Sequence, residues 1–216
     1  MSTLRAGPRG PTVARLCGAA FLADMALYLT MTGAPYLALS LGAGPLALGF
    51  LPLARALPYS LTTVWAGGLT DRRERLRLAR GSLMVGAAAV AALAIVQSLA
   101  MIYVLLGILG LALAFFWPAV QASLADTGAR EVTGNLGWFN IGWSTGKAIG
   151  FVIGGFLLAT LGFGPVFALA ALGVVGAGVL VMTLPPSAET SSDGAAREDP
   201  GDASQSIAGE ISRGRA

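Results

Sequence analysis

Apolar residues fill this chain in long runs, and charges interrupt them at only a few places. The 45 residues between Arg80 and Asp126 carry no charge, and neither do the 41 between Lys147 and Glu189. Each run is about twice the ~20 residues that carry a helix across a bilayer. Breaks inside the apolar body come at Gly/Pro clusters and at charge runs. They divide it into six predicted membrane-spanning helices, at residues 13–41, 45–67, 79–98, 101–124, 132–160 and 163–184. The first and fifth are longer than the hydrocarbon layer requires, which tilt absorbs. The expected fold class is all-α, a polytopic membrane protein made of a six-helix transmembrane bundle. Residues 1–12 form a short segment before it. Residues 185–216 form a Ser/Gly/Ala/Asp/Glu-rich tail with too few large apolar residues to offset its ordering entropy, expected to be disordered.

Composition agrees. Of the 216 residues 55% are hydrophobic and 12% charged, half the ~25% charged share of a soluble domain. The formal charge of +3 is unevenly spread: residues 1–184 hold 11 basic and 5 acidic side chains, residues 185–216 hold 3 and 6. Sorted by loop, Arg5, Arg9 and Arg15 precede or open the first span. Arg72, Arg73, Arg75, Arg77 and Arg80 join the second span to the third, and Arg130 joins the fourth to the fifth. The short turns on the other side, Gly42–Gly44, Leu99–Ala100 and Leu161–Gly162, are uncharged. The positive-inside rule puts both termini in the cytoplasm, with the cell (inner) membrane as the expected location. Arg15 followed by Leu16–Leu22 imitates a signal peptide, but the apolar run continues to Ala54 and offers no small-residue cleavage site. Cys17 reads as a small apolar filler.

The absence of His removes His-based catalysis, and no Ser/Lys or paired-Asp arrangement stands at a spacing suited to intramembrane chemistry. Neither an enzyme activity nor a cofactor or metal is expected. Nucleic acid is not an expected partner, because the Arg run is short and topology accounts for it.

Three charged residues lie inside spans: Asp24, Arg55 and Lys147. At ~1.5 Å per residue they sit roughly 16, 18 and 22 Å from the cytoplasmic span ends, near the midplane. Each costs on the order of 3 kcal/mol if it faces lipid, so all three are expected to face the bundle interior. Helical spacing extends them into polar stripes. Asp24, Tyr28 and Thr32 recur every four residues; Arg55 precedes Tyr59 by four, between Pro52 and Pro58; Asn140, Ser144 and Lys147 share a face; Trp117 and Gln121 align near Pro118. These ten residues are the candidate substrate pathway. The structural alternative is an Asp24–Arg55 or Asp24–Lys147 pair that only locks helices together. Two bases against one acid predict a preference for anionic or zwitterionic solutes. Gly142, Gly146, Gly150 and Gly154 form a stripe at a strict spacing of four, a smooth face for close helix packing, either static or sliding.

The turn after the second span reads Gly67-Gly68-Leu69-Thr70-Asp71-Arg72-Arg73-Glu74-Arg75. It resembles the helix 2–3 loop of the major facilitator superfamily, G-x-L-a-D-R-x-G-R-R, with Gly67, Leu69, Asp71, Arg72 and Arg75 in register. Pro35 to Ala43 looks like that family's helix 1 exit. Gly146 to Gly155 is similar to its helix 5 pattern G-x-x-x-G-P-x-x-G-G, with Phe151 in place of the Pro that accompanies antiport; the helix 4 Arg motif is missing. The resemblance covers residues 12–184 and one half of the family's two-bundle architecture. It implies a permease working by alternating access, with helices 3 and 6 as outer supports. It also implies that the loop Asp71 bonds a neighbouring Arg and a helix N-terminus of the other half. A second six-helix bundle is then required, from a homodimer, a separately encoded partner half or a longer parent chain. Besides the bilayer, the expected partner is a small-molecule solute of unknown identity. The competing expectation is a non-transporting membrane scaffold or regulatory protein, including a truncated transporter fragment.

Overall fold

The computed structural model describes residues 10–66, 72–125 and 132–184. They form six helices: α1 (Pro11–Ser40), α2 (Pro45–Ala66), α3 (Arg72–Ala92), α4 (Leu99–Ala125), α5 (Val132–Leu161) and α6 (Phe163–Met182). The tail at 185–216 and the segment at 1–9 lie outside the described residues.

Five boundaries fall within a few residues of expectation, and α3 differs. It begins at Arg72 rather than 79 because the Arg-rich stretch before Arg80 is itself helical. It ends at Ala92, a 3₁₀ turn follows at Leu93–Ile95, and Val96 is extended. The connection to α4 is therefore 96–98, not Leu99–Ala100. There the Ser98 hydroxyl accepts the Met101 amide at 3.4 Å, the position of an N-cap. At the end of α1, Ala43 N–H donates to the Ala38 carbonyl (3.0 Å) and Gly42 N–H to the Leu39 carbonyl (2.9 Å). This is a Schellman closure, and it requires the left-handed φ of 83° that Gly42 supplies.

Among the described residues, five helices are long and apolar enough to cross a membrane. The 22-residue α2 has the length, but Arg55, Pro52, Pro58 and Tyr59 dilute its hydropathy. It lies parallel to α4, which is one of the five. Tyr103 donates to the Ala47 carbonyl at 2.8 Å, and Gly107 and Gly110 face the carbonyls of Ala54 and Arg55. Pro58 cannot donate an amide to the Ala54 carbonyl, so glycine's bare Cα surface at Gly107 gives that oxygen room.

Close contacts fix the directions of the helices. Gly142, Gly146, Gly150 and Gly154 of α5 meet Cys17, Phe21, Met25 and Thr32 of α1 in ascending order, so α1 and α5 run parallel. Gly18 and Gly33 of α1 meet Leu180 and Val166, so α6 runs opposite to α1. Gly178 of α6 meets Leu83, while Arg80 donates to the Val181 carbonyl at 3.1 and 3.3 Å, so α3 runs opposite to α6. The result is alternating up-down topology. The starts of α1 and α3 share a face with the end of α6, and there Arg15 reaches the Thr183 carbonyl at 2.6 Å. Arg15 thus bonds the carbonyl of the residue that follows α6, and Arg80 adds a charged donor to a Val181 carbonyl that also accepts the Leu184 amide at 3.3 Å, both at the negative end of the α6 dipole.

All four glycines of the stripe lie within the bundle, against α1. A Cβ at Gly150 would stand 2.6 Å from the Met25 carbonyl oxygen, and one at Gly146 would overlap the Phe21 carbonyl. Backbone cannot yield as a side-chain tip can. Replacing Gly150 by Val should lower unfolding stability in detergent by about 1–3 kcal/mol. Gly155→Val, on the same helix with nothing within 4 Å, should leave it near the parent value. Equal thermal midpoints for the two variants would refute the close approach.

Candidate functional site

A cavity of about 370 Å³ opens between α1, α2, α4 and α5, and among the described residues none of α3 or α6 lines it. Of the ten candidate pathway residues, Asp24, Tyr28, Arg55, Tyr59, Trp117, Gln121 and Asn140 line this space. They come from four helices, so the one-helix stripes converge only through packing: α5 is brought to α1 by its glycines, and α2 to α4 by Gly107 and Gly110.

The other three candidates lie elsewhere. The Thr32 hydroxyl turns back to the Tyr28 carbonyl at 2.8 Å, and its Cβ sits against Gly154. Ser144 is exposed on α5. Lys147 stands beside the cavity, its Nζ 4.6 Å from the centre of the Trp143 ring and 5.0 Å from that of Tyr28. Ring faces are negative, so both attract the ammonium. Phe151, which replaces the expected Pro, packs against Tyr28 with ring centres 4.6 Å apart.

Asp24 is 2% exposed. Its side chain hydrogen bonds to Trp143 and lies within electrostatic reach of Lys147 and Arg55, while Oδ2 has no hydrogen-bond partner. The buried Nε of Arg55 has none either. Trp143, Leu27 and Phe139 complete the wall, and the sequence reading missed all three. A signal for Trp143 existed: it stands three residues after Asn140 and four before Lys147, on the same helical stripe. Trp117 ties this wall together, with ring centres 5.0 Å from Phe116 and 6.2 Å from both Phe139 and Trp143.

A second cavity, of about 340 Å³, lies toward the far end of α1 and the start of α2, with Met31, Pro35, Leu48 and Pro52 in its wall. The two spaces share Leu27, Tyr28 and Arg55. These three residues are a partition between a polar chamber and a more apolar one.

Of the loop motif, Gly67, Leu69 and Asp71 lie outside the described residues, as do the side chains of Arg72 and Arg75 in α3.

A sequence model of the Major Facilitator Superfamily matches residues 16–214, from inside α1 through α6 and beyond. No curated protein matches the chain.

If Trp143 is the partner that satisfies Asp24, Trp143→Phe should cost about 1–3 kcal/mol of unfolding stability with Asp24 present. In an Asp24→Leu background it should cost clearly less, a coupling of about 0.5–3 kcal/mol. Additive losses in this double-mutant cycle would remove the bond from the account.

Proposed function

Because the chain belongs to the major facilitator superfamily, and is thereby an integral membrane protein of transporter type, we propose that it is a solute permease. It works by alternating access around the Asp24–Arg55 cavity and needs a second six-helix bundle. One observation carries this reading: residues bearing a carboxylate and a guanidinium, from different helices, line the same cavity amid apolar spans. Each ion costs on the order of 3 kcal/mol in lipid, an expense that a passive scaffold has no reason to bear. Trp117, Tyr59, Gln121 and Asn140 supply the wall chemistry of a small-molecule site, with Lys147 held alongside.

The need for a second bundle is supported by the cavity's flanks. α2 packs mainly on α4 and α5 mainly on α1, while α2 and α5 share no substantial contact. Both flanking helices are poorly enclosed: 17% of the most apolar stretch of α5 is buried against 50% for α1 and α4, and Leu51 alone is buried among the described side chains of α2. The missing wall comes from a second copy, a separately encoded half or further sequence in a longer chain, related by an axis along the membrane normal. The loop with Gly67, Leu69, Asp71, Arg72 and Arg75 is where this bundle would be engaged. Arg15 and Arg80, at one end of the bundle, support a cytoplasmic placement for that face, with the cell membrane as host.

Vesicles carrying the full chain should retain at least one solute from an isotope-labelled mixture of small metabolites, above protein-free vesicles. Asp24→Ala or Arg55→Ala should abolish that retention, and the detergent-corrected particle mass should correspond to two bundles. No retained solute together with a 21.9 kDa single-bundle particle would favour the scaffold. For orientation, in a Cys17→Ser background Gly44→Cys should react with an impermeant maleimide from outside intact cells, and Arg77→Cys only after permeabilisation. The reverse pattern would invert the topology.

A further inference from the structure

We propose that the solute of this site is a zwitterion with an aromatic or otherwise flat apolar body. Its cation bonds Oδ2 of Asp24 and its anion bonds the guanidinium of Arg55. The proposal rests on the permease reading and adds a substrate class to it.

The first ground is the pair of orphaned atoms. Asp24 Oδ2 and Arg55 Nε are buried and unpartnered, and folded proteins leave few such atoms unsatisfied. A buried charged group without a bond carries a heavier penalty than a neutral one. As the side chains stand, water reaches neither atom, but both belong to residues that line the same space, so a small turn of the carboxylate and of the guanidinium presents them to one ligand.

The second ground is where the other cation is. Counting charges along the sequence left a surplus of one base, because Lys147 was taken to face the pathway. In the structure Lys147 does not line the cavity. Its ammonium lies over the rings of Trp143 and Tyr28, and Oδ2 of Asp24 stays without a hydrogen bond. Seen from the cavity, one acid faces one base. A singly charged solute would satisfy one and leave the other orphaned; a solute with both charges satisfies both.

The third ground is the wall between these ends. Trp117, Phe139, Trp143 and Tyr59 present rings to the space, and Gln121 and Asn140 add neutral amides. The volume of about 370 Å³ is within the ~300–1,000 Å³ range of small-molecule sites. Rings next to Asp24 also favour an ammonium there.

Three compounds with the same phenylethyl body separate the possibilities: L-phenylalanine carries both charges, phenethylamine only the cation and 3-phenylpropanoate only the anion. Binding is read by calorimetry on the purified full chain in nanodiscs. L-Phenylalanine should bind at least about tenfold more tightly than either relative, which is ~1.4 kcal/mol. Asp24→Asn should reduce its affinity to that of 3-phenylpropanoate, and Arg55→Gln to that of phenethylamine. The ranking on the unsubstituted chain stands even if a variant fails to fold. Equal binding of 3-phenylpropanoate and L-phenylalanine would overturn the proposal, as would equal binding of phenethylamine. Saturable binding of none of the three would also overturn it. If the vesicles still retain some other solute, the permease reading survives that loss. If the ranking holds but no vesicle uptake is found, the permease reading falls and the binding site stays.

Discussion

The backbone of α5 lies on the backbone of α1 across three glycines, and the chemistry of the bundle depends on that approach. In lipid, apolar surface gives little net drive for helices to associate, so close van der Waals packing and interhelical polar contacts carry the association. With Gly142, Gly146 and Gly150 facing the carbonyls of Cys17, Phe21 and Met25, side chains beside the seam interlock. Trp143 reaches Asp24, Lys147 settles between Trp143 and Tyr28, and Phe151 closes on Tyr28. A wider gap between the helices would break all of these contacts together. The α2–α4 pair repeats the device on the other flank, where Gly107 and Gly110 admit a helix whose two prolines free backbone carbonyls.

The division of labour among the helices follows from charge. α1, α2 and α5 each carry one ion at mid-depth, and together with α4 they surround the cavity. The uncharged parts of α3 and α6 buttress α4 and α1 from outside. The ionic work of α3 and α6 is confined to one end, where Arg15 and Arg80 hold the last carbonyls of α6. Read from sequence, these two arginines are topology signals; in the structure they also tie the starts of α1 and α3 to the end of α6.

Element type and order were legible because uninterrupted apolar length is a strong signal. The start of α3 was not, since a helix that emerges from lipid into water keeps its backbone bonds while its side chains turn charged. The site was legible in part. A spacing of three or four shows which residues share a face, and that sufficed for Asp24, Tyr28, Arg55, Tyr59, Trp117, Gln121 and Asn140. It does not show how far a helix is rotated against its neighbour, so Ser144 falls outside the cavity although Asn140, one turn earlier, lies within it. Nor does it show when a hydroxyl serves its own helix, as Thr32 does, or when a lysine is held by rings, as Lys147 is. Trp143 was overlooked because an aromatic residue in an apolar helix gives no sign that its N–H has a task.

The shared wall of Leu27, Tyr28 and Arg55 has an electrical meaning. When water fills the chambers on both sides, the low-dielectric layer there shrinks to about the thickness of one row of side chains. A transmembrane voltage then falls mostly across that row rather than across the whole ~30 Å hydrocarbon layer. Carrying one elementary charge through the full drop is worth ~2.3 kcal/mol per 100 mV. Arg55 sits in the steepest part of this field, so a displacement of a few ångströms in its guanidinium would count as a sizeable fraction of a gating charge.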